Sequence, residues 1–187
     1  IWKIYEEYMN NIWSIYEICM KNAVYQKDKK NIANAITGIG GIQLHLGEYD
    51  NALESYKKAL KIRKQIGDVN GEGASLSNLG VIAYYKGDLN EAIKYFKNAR
   101  TIQKDIDDKY SMAISLNNLG GAYLQKGDND FAIKYFKNAL QLRIEIKDFS
   151  GQGATLSNLG AIYIMTYDLD KAIKCLDDSI KINIKIK

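Results

Sequence analysis

Residues 116–136 read LNNLGGAYLQKGDNDFAIKYF, and the reading of this stretch decides the fold. Leu116, Leu119 and Tyr123 keep helical spacing, the KGD at 126–128 interrupts it, and Phe131, Ile133, Phe136, Leu140 and Ile144 resume it. Apolar residues at steps of three and four mark one buried helix face, so the stretch predicts two helices joined by a tight turn. Gly127 suits the left-handed residue that ends the first helix, and Asp128 suits the N-cap of the second.

The pattern returns every 40 residues. Aspartates stand at Asp28, Asp68, Asp108 and Asp148, and glycines at Gly40, Gly80, Gly120 and Gly160. Turn glycines at Gly47, Gly87 and Gly127 and alanines at Ala52, Ala92, Ala132 and Ala172 keep the same step. A period between 20 and 50 residues means stacked supersecondary units. The chain therefore predicts an all-α solenoid of antiparallel helix pairs over 1–187. Full repeats fall at 29–68, 69–108 and 109–148, a last repeat at 149–187, and a capping helix or partial repeat at 1–28.

Both ends depart from the pattern. Ile1, Ile4, Tyr5, Tyr8, Ile12, Ile15, Tyr16 and Cys19 form a helical stripe with no glycine to break it, which predicts one long helix over 1–27. The closing IKINIKIK alternates as a strand does, yet it occupies the register of 60–66 and 140–146 and is read as helix. Tyr167 stands where three other turns have glycine. A side chain there costs about 1 kcal/mol in the left-handed region, so this turn is expected to bend differently. A chain that opens on Ile1 and stops without an evident cap is expected to be a fragment of a longer protein.

Leu116, Leu119, Gly120, Tyr123, Ala132 and Phe136 match the L-x-x-L-G-x-x-Y and A-x-x-x-F pattern of the tetratricopeptide repeat, and the match recurs through nearly the whole chain. The chain resembles that family, in particular the long repeats of the kinesin light chain, of Pins-type adaptors and of bacterial peptide-sensing regulators. It departs from the common pattern in its 40-residue period and in having no proline. Both departures point to longer helices. The resemblance implies a right-handed superhelix whose first helices line a concave groove that binds peptides.

Composition narrows the functions. The 187 residues are 47% hydrophobic, enough for a sizeable core, and 26 basic against 22 acidic residues leave +4 with the signs mixed. That balance argues against nucleic acid as the partner. Lys94, Lys97, Lys134, Lys137 and Lys174 stripe the second helices among acids and read as a solvated face. Cys19 and Cys175 form no C-x-x-C pair, and Cys19 reads as a small core residue. A reducing, cytoplasmic setting and no metal are expected. No apolar run reaches the roughly 18 residues of a membrane span. With His45 the only histidine and no strand before the glycines at 38–41, neither catalysis nor a cofactor is expected.

Function is then sought in what packing leaves over. Gly120, Ala132, Leu119, Tyr123 and Phe136 read as architecture, with Tyr16, Tyr56 and Phe96. On the other side of the first helices stand Asn78, Asn118 and Asn158, flanked by Thr37, Ser77, Asn117 and Ser157 and by Gly41, Val81, Gly121 and Ala161. His45, Tyr84, Tyr85, Gln125 and Met165 form the far rim. Asparagine inside a helix costs about 0.6 kcal/mol relative to alanine, so three in register call for a reason. An amide donates and accepts, which suits the backbone of an extended ligand; it could equally bridge to the neighbouring repeat. None of these positions is lysine or arginine, so the resemblance's carboxylate clamp is not expected here. A neutral or amphipathic peptide or helix is, with Tyr84, Tyr85, Leu124 and Ile164 gripping its apolar side chains. The leading reading is a protein-interaction scaffold or adaptor. The other is a sensor module of a larger signalling protein or enzyme.

Overall fold

Two 17-residue helices and two three-residue turns make up the 40-residue period. The structure, a computed structural model, describes residues 28–185 together with Trp13, Ser14, Tyr16, Glu17, Ile18 and Lys21. Most of the helix expected over 1–27, with Cys19, lies outside the described residues, as do Ile186 and Lys187. The helices are α1 (Lys29–His45), α2 (Tyr49–Gln65), α3 (Val69–Tyr85), α4 (Leu89–Asp105), α5 (Lys109–Gln125), α6 (Asn129–Glu145), α7 (Phe149–Met165) and α8 (Leu169–Lys185). Each is about 25 Å long. No strand occurs among the described residues, and the closing alternation is helical as far as Lys185.

The recurrent aspartates are N-caps. Asp28 accepts from the amides of Lys30 and Asn31, and Asp68, Asp108 and Asp148 accept from Gly71, Ser111 and Gly151 at 2.9–3.1 Å. Asp128 caps the second helix α6 more loosely, with the Phe131 amide 3.4 Å away. Each such bond occupies a donor that the helix end would otherwise leave open.

All seven turns take one conformation. Their middle residues have positive φ: Gly47, Gly67, Gly87 and Gly127 between +68° and +84°, and Asp107, Lys147 and Tyr167 between +52° and +59°. In every turn the amide of the third residue returns to a carbonyl five residues back, as from Asp128 to Tyr123 and from Asp168 to Tyr163, both 2.9 Å. The expectation that the Tyr167 turn bends differently is therefore corrected. The bonds from the Tyr167 amide to the Ile164 carbonyl (3.1 Å) and from the Asp168 amide to the Tyr163 carbonyl, with the helices on either side, hold Tyr167 at φ +59° despite its side chain.

The chain divides into two compact units, Ile1–Asp88 and Leu89–Lys187. In the first, α1 packs on α2 and α2 on α3; in the second, each of α4 to α7 packs on the helix that follows it. Within each unit the three-residue turns make consecutive helices antiparallel. Inside the pairs α1/α2, α5/α6 and α7/α8 a glycine admits a large side chain from 16 residues on. A Cβ on Gly120 would lie 2.7 Å from the Phe136 ring, one on Gly40 2.9 Å from Tyr56, and one on Gly160 2.8 Å from Leu176. Tyr56, Phe96 and Phe136 are at most 3% exposed, and Tyr16 is half-buried against Gly38. In the second unit Ala132, Phe136, Leu159, Ile162, Tyr163 and Ala172 form a core on which Tyr123, Leu124, Ile133, Leu140 and Cys175 pack.

Adjacent glycines of α5 should respond with opposite signs. Alanine at Gly120 gains helix propensity but drives into Phe136, for a net loss of about 1–2 kcal/mol. Alanine at Gly121, whose Cβ meets nothing within 4 Å, gains about 0.8 kcal/mol. Urea unfolding of the two variants checks this. Tyr167 is 88% exposed, so Tyr167→Gly gives up little packing and relieves about 1 kcal/mol of backbone strain. Its melting temperature should rise by roughly 2–4 °C in a circular-dichroism scan.

Candidate functional site

Buried arginines fix where one first helix sits against the previous pair. Arg63, at the end of α2 and 5% exposed, donates through Nη1 to the Gly71 carbonyl (3.1 Å) and Ser75 Oγ (2.7 Å) of α3. Its Nη2 donates to Asn34 Oδ1 of α1 at 3.1 Å, and Nε lies 3.8 Å from the cap Asp68. One guanidinium thus holds three helices. Arg143 repeats two of these contacts in the second unit, donating to the Gly151 carbonyl and pairing with Asp148 at 3.8 Å. Burial pulls the pKa of each arginine down from its ordinary value, and the neighbouring aspartate opposes that pull. Gly71 and Gly151 make the room, since a Cβ on either would lie 2.6 Å from its arginine. Helical spacing in the sequence does not single these residues out. The available signal was Arg63, Gln103 and Arg143 in 40-residue register, with glycines eight residues after both arginines.

In the first unit the candidate surface is carried by α1 and α3. Thr37 is half-buried and donates to the Ala33 carbonyl of its own helix (2.8 Å), while His45 at the helix end is exposed. Ser77, Asn78, Val81 and Tyr84 are half-buried on α3, and Tyr85 is 57% exposed. The Tyr85 ring stacks on Tyr49 of α2 (6.0 Å between centroids) and meets Tyr84 edge-on at 5.8 Å. Lys86 beside it bonds Asp50 at 2.6 Å, and that bond holds the Asp50 carboxyl below the usual carboxylate range.

In the second unit the same positions lie on α5 and α7. Asn117 and Asn158 meet there: the Asn158 amide donates to Asn117 Oδ1 at 3.3 Å, and the Thr155 hydroxyl stands at the same distance from that oxygen. This pair joins two successive first helices. Ser157 donates to the Gly153 carbonyl (3.1 Å) and sits 3.0 Å from Ser179 on α8, so its hydroxyl is bound toward the second helix. Asn78 and Asn118, both half-buried, hold no side-chain hydrogen bond to a described residue. Gln125 is exposed, as are Ile164 and Met165, at 50% and 60%. Leu124, expected to grip a ligand, packs instead on the core cluster.

The surface is close to neutral. The lysines of the second helices are exposed, and some have partners: Lys94 faces Glu91 at 3.4 Å, and Lys97 and Lys134 lie over the Tyr123 and Phe131 rings. Among the described residues no three histidine, cysteine or acidic side chains are placed to hold a metal ion, and no helix is long and apolar enough to cross a membrane. Burial pushes the Cys175 thiol up from its ordinary pKa, away from the reactive thiolate.

The family model of the tetratricopeptide repeat matches residues 31–105 and 111–185. A comparison with curated protein sequences finds no match. Among solved structures, BtubC (BKLC) from P. vanneervenii aligns with a TM-score of 0.84 at 24% identity, over 98% of this chain and 76% of that one. A Rap protein complexed with Competence and Sporulation Factor aligns at 0.83 and 19% identity, over 96% of this chain and 51% of that one. A putative kinesin light chain from Podospora anserina, with nearly identical TPR-like repeats, aligns at 0.73 and 15% identity, over 98% of this chain and 93% of that one.

Arg63→Ala should cost about 3–5 kcal/mol, because it leaves the Asp68 carboxylate and the Ser75 and Asn34 side chains without their buried partner. Loss of amide-exchange protection in α3 would localise that cost. A change below 1 kcal/mol would show that the arginine is not the joint.

Proposed function

Because this chain belongs to the tetratricopeptide repeat family, an all-α solenoid fold suited to protein interaction, we propose that the first-helix surfaces of its units bind a peptide or helical segment of a partner protein. The observation that carries this reading is one amide in each unit, Asn78 in the first and Asn118 in the second. Each is half-buried, each lacks a side-chain hydrogen bond to a described residue, and Asn118 stands beside the open space at Gly121. A peptide backbone offers the donors and acceptors that such amides need. Asn158 already spends one N–H of its Nδ2 on Asn117, which leaves its other N–H and its oxygen to offer. Ser77, Thr37 and Ser157 line the surface beside the amides, and His45, Tyr84, Tyr85 and Gln125 form its rim.

The ligand is neutral or amphipathic. The named surface holds no lysine or arginine to grip a free C-terminal carboxylate, and its exposed Tyr85 offers a flat apolar face to a side chain. The Rap relative of the same fold was crystallised with a bound factor, which is in keeping with ligand binding by this architecture. The chain acts here as a non-catalytic adaptor without a cofactor, in the reducing cytoplasm, where a free Cys175 is stable.

Peptides selected by phage display against the intact chain test the reading. Selected peptides should bind equally with a free or an amidated C-terminus. Asn78→Ala combined with Asn118→Ala should weaken them at least tenfold while the melting temperature holds or rises by a few degrees, since alanine is the better helix former and neither amide has a side-chain partner to lose. Equal binding by that double variant would overturn the assignment.

A further inference from the structure

The position that begins at Leu60 and recurs every 40 residues reads Leu60, Arg100, Leu140, Ile180. Leu140 packs on the core of its unit, and Leu60 is half-buried. Arg100 puts a charged head where the others put a branched apolar one. A guanidinium cannot fill such a space unpaired, and it turns its head to water along its apolar stem. Beside it a cleft of about 300 Å³ opens between the second helices α4 and α6, with α5 beneath.

Its chemistry is divided. The buried Leu116 lies on the α5 side with Met112, and Leu142 adds an apolar wall from α6. Arg100 and Lys104 stand one turn apart on α4, and Asn138 and Gln141 face them from α6. No carboxylate lines the cleft, and neither cation makes an ion pair among the described residues. Two unpaired cations over an apolar floor suit an anion that carries an apolar group. The volume is at the small end of ligand sites and admits a side chain, not a helix. Two positive charges are too few for a nucleic-acid track, whose affinity grows with the number of phosphates neutralised.

We propose that this cleft is a second binding site, for an acidic segment of a partner protein that inserts one leucine-sized side chain while its flanking carboxylates meet Arg100 and Lys104. The planar guanidinium can take a carboxylate with two parallel hydrogen bonds, and Lys104 supplies a second point of charge. The site lies on the second-helix side and is separate from the amide surface of the first helices. An adaptor could hold an acidic segment here and a neutral one there.

The probe is a fluorescein-labelled peptide, blocked at both ends, with one leucine between two pairs of glutamates, followed by fluorescence anisotropy on the intact chain. Binding in the micromolar range is expected, and it should weaken as salt rises. Arg100→Leu restores the residue of the neighbouring repeats, so it should raise the melting temperature and weaken the probe at least tenfold. Arg100→Lys should lose less than fivefold. A probe with serine in place of leucine should also lose tenfold. No measurable binding, unchanged binding to a folded Arg100→Leu chain, or equal binding of the serine probe would each overturn the site. If Arg100→Leu failed to fold, Lys104→Gln would decide, with a loss of at least threefold expected and unchanged affinity refuting the assignment. Peptides selected on the amide surface should bind the Arg100→Leu chain normally, which separates failure here from failure there.

Discussion

Everything else in each unit depends on the close approach of two helices where a glycine meets a large side chain from the partner helix. Gly120 under Phe136 and Gly40 under Tyr56 leave no room for a Cβ, and buried Ala52 and Ala132 keep the opposing helices small at the same level. Burying the Tyr56 or Phe136 ring stabilises the contact by roughly 2–3 kcal/mol, enough to repay the poor helix propensity of the glycine. The same contact orients the first helix. With Leu119 and Gly120 turned inward, Asn118 and Gly121 face away from the core.

A second constraint is the spacing of helix ends. Three-residue turns with a left-handed middle residue close each of α1 to α7, whether that residue is Gly127, Asp107, Lys147 or Tyr167. Glycine is the cheap choice, and the other three show that packing on both sides can hold a side chain where local preference resists it. Arg63 and Arg143 then tie a pair to the next first helix through backbone carbonyls as well as side chains. Such a joint is directional, unlike apolar contact, and it sets how a first helix is turned against the pair before it.

The surfaces left by this architecture differ in character. The first-helix side is neutral, rich in amides and small residues, with aromatic rings at the rim. The second-helix side is charged, and in the second unit a single arginine in a leucine position leaves space beneath two cations. Position-by-position comparison of repeats separates what the fold demands from what a site adds: Phe136 and Tyr56 agree because the core requires them, whereas Arg100 stands apart from Leu60 and Leu140.

By itself the sequence determined the helix pairs, their 40-residue period, the glycine contacts and the side of the first helix that faces away from the core. Those features rest on local spacing and side-chain size, which the linear order carries directly. Tertiary structure alone decided that Asn158 is partly spent on Asn117, that Ser157 turns to Ser179, that Leu124 joins the core, and that Tyr167 keeps the shared turn. Each outcome is a choice between partners on different helices, or between local strain and packing on both sides. Such choices are made only when the helices are in place, because the competing energies are about 1 kcal/mol each and no single stretch of chain contains both competitors.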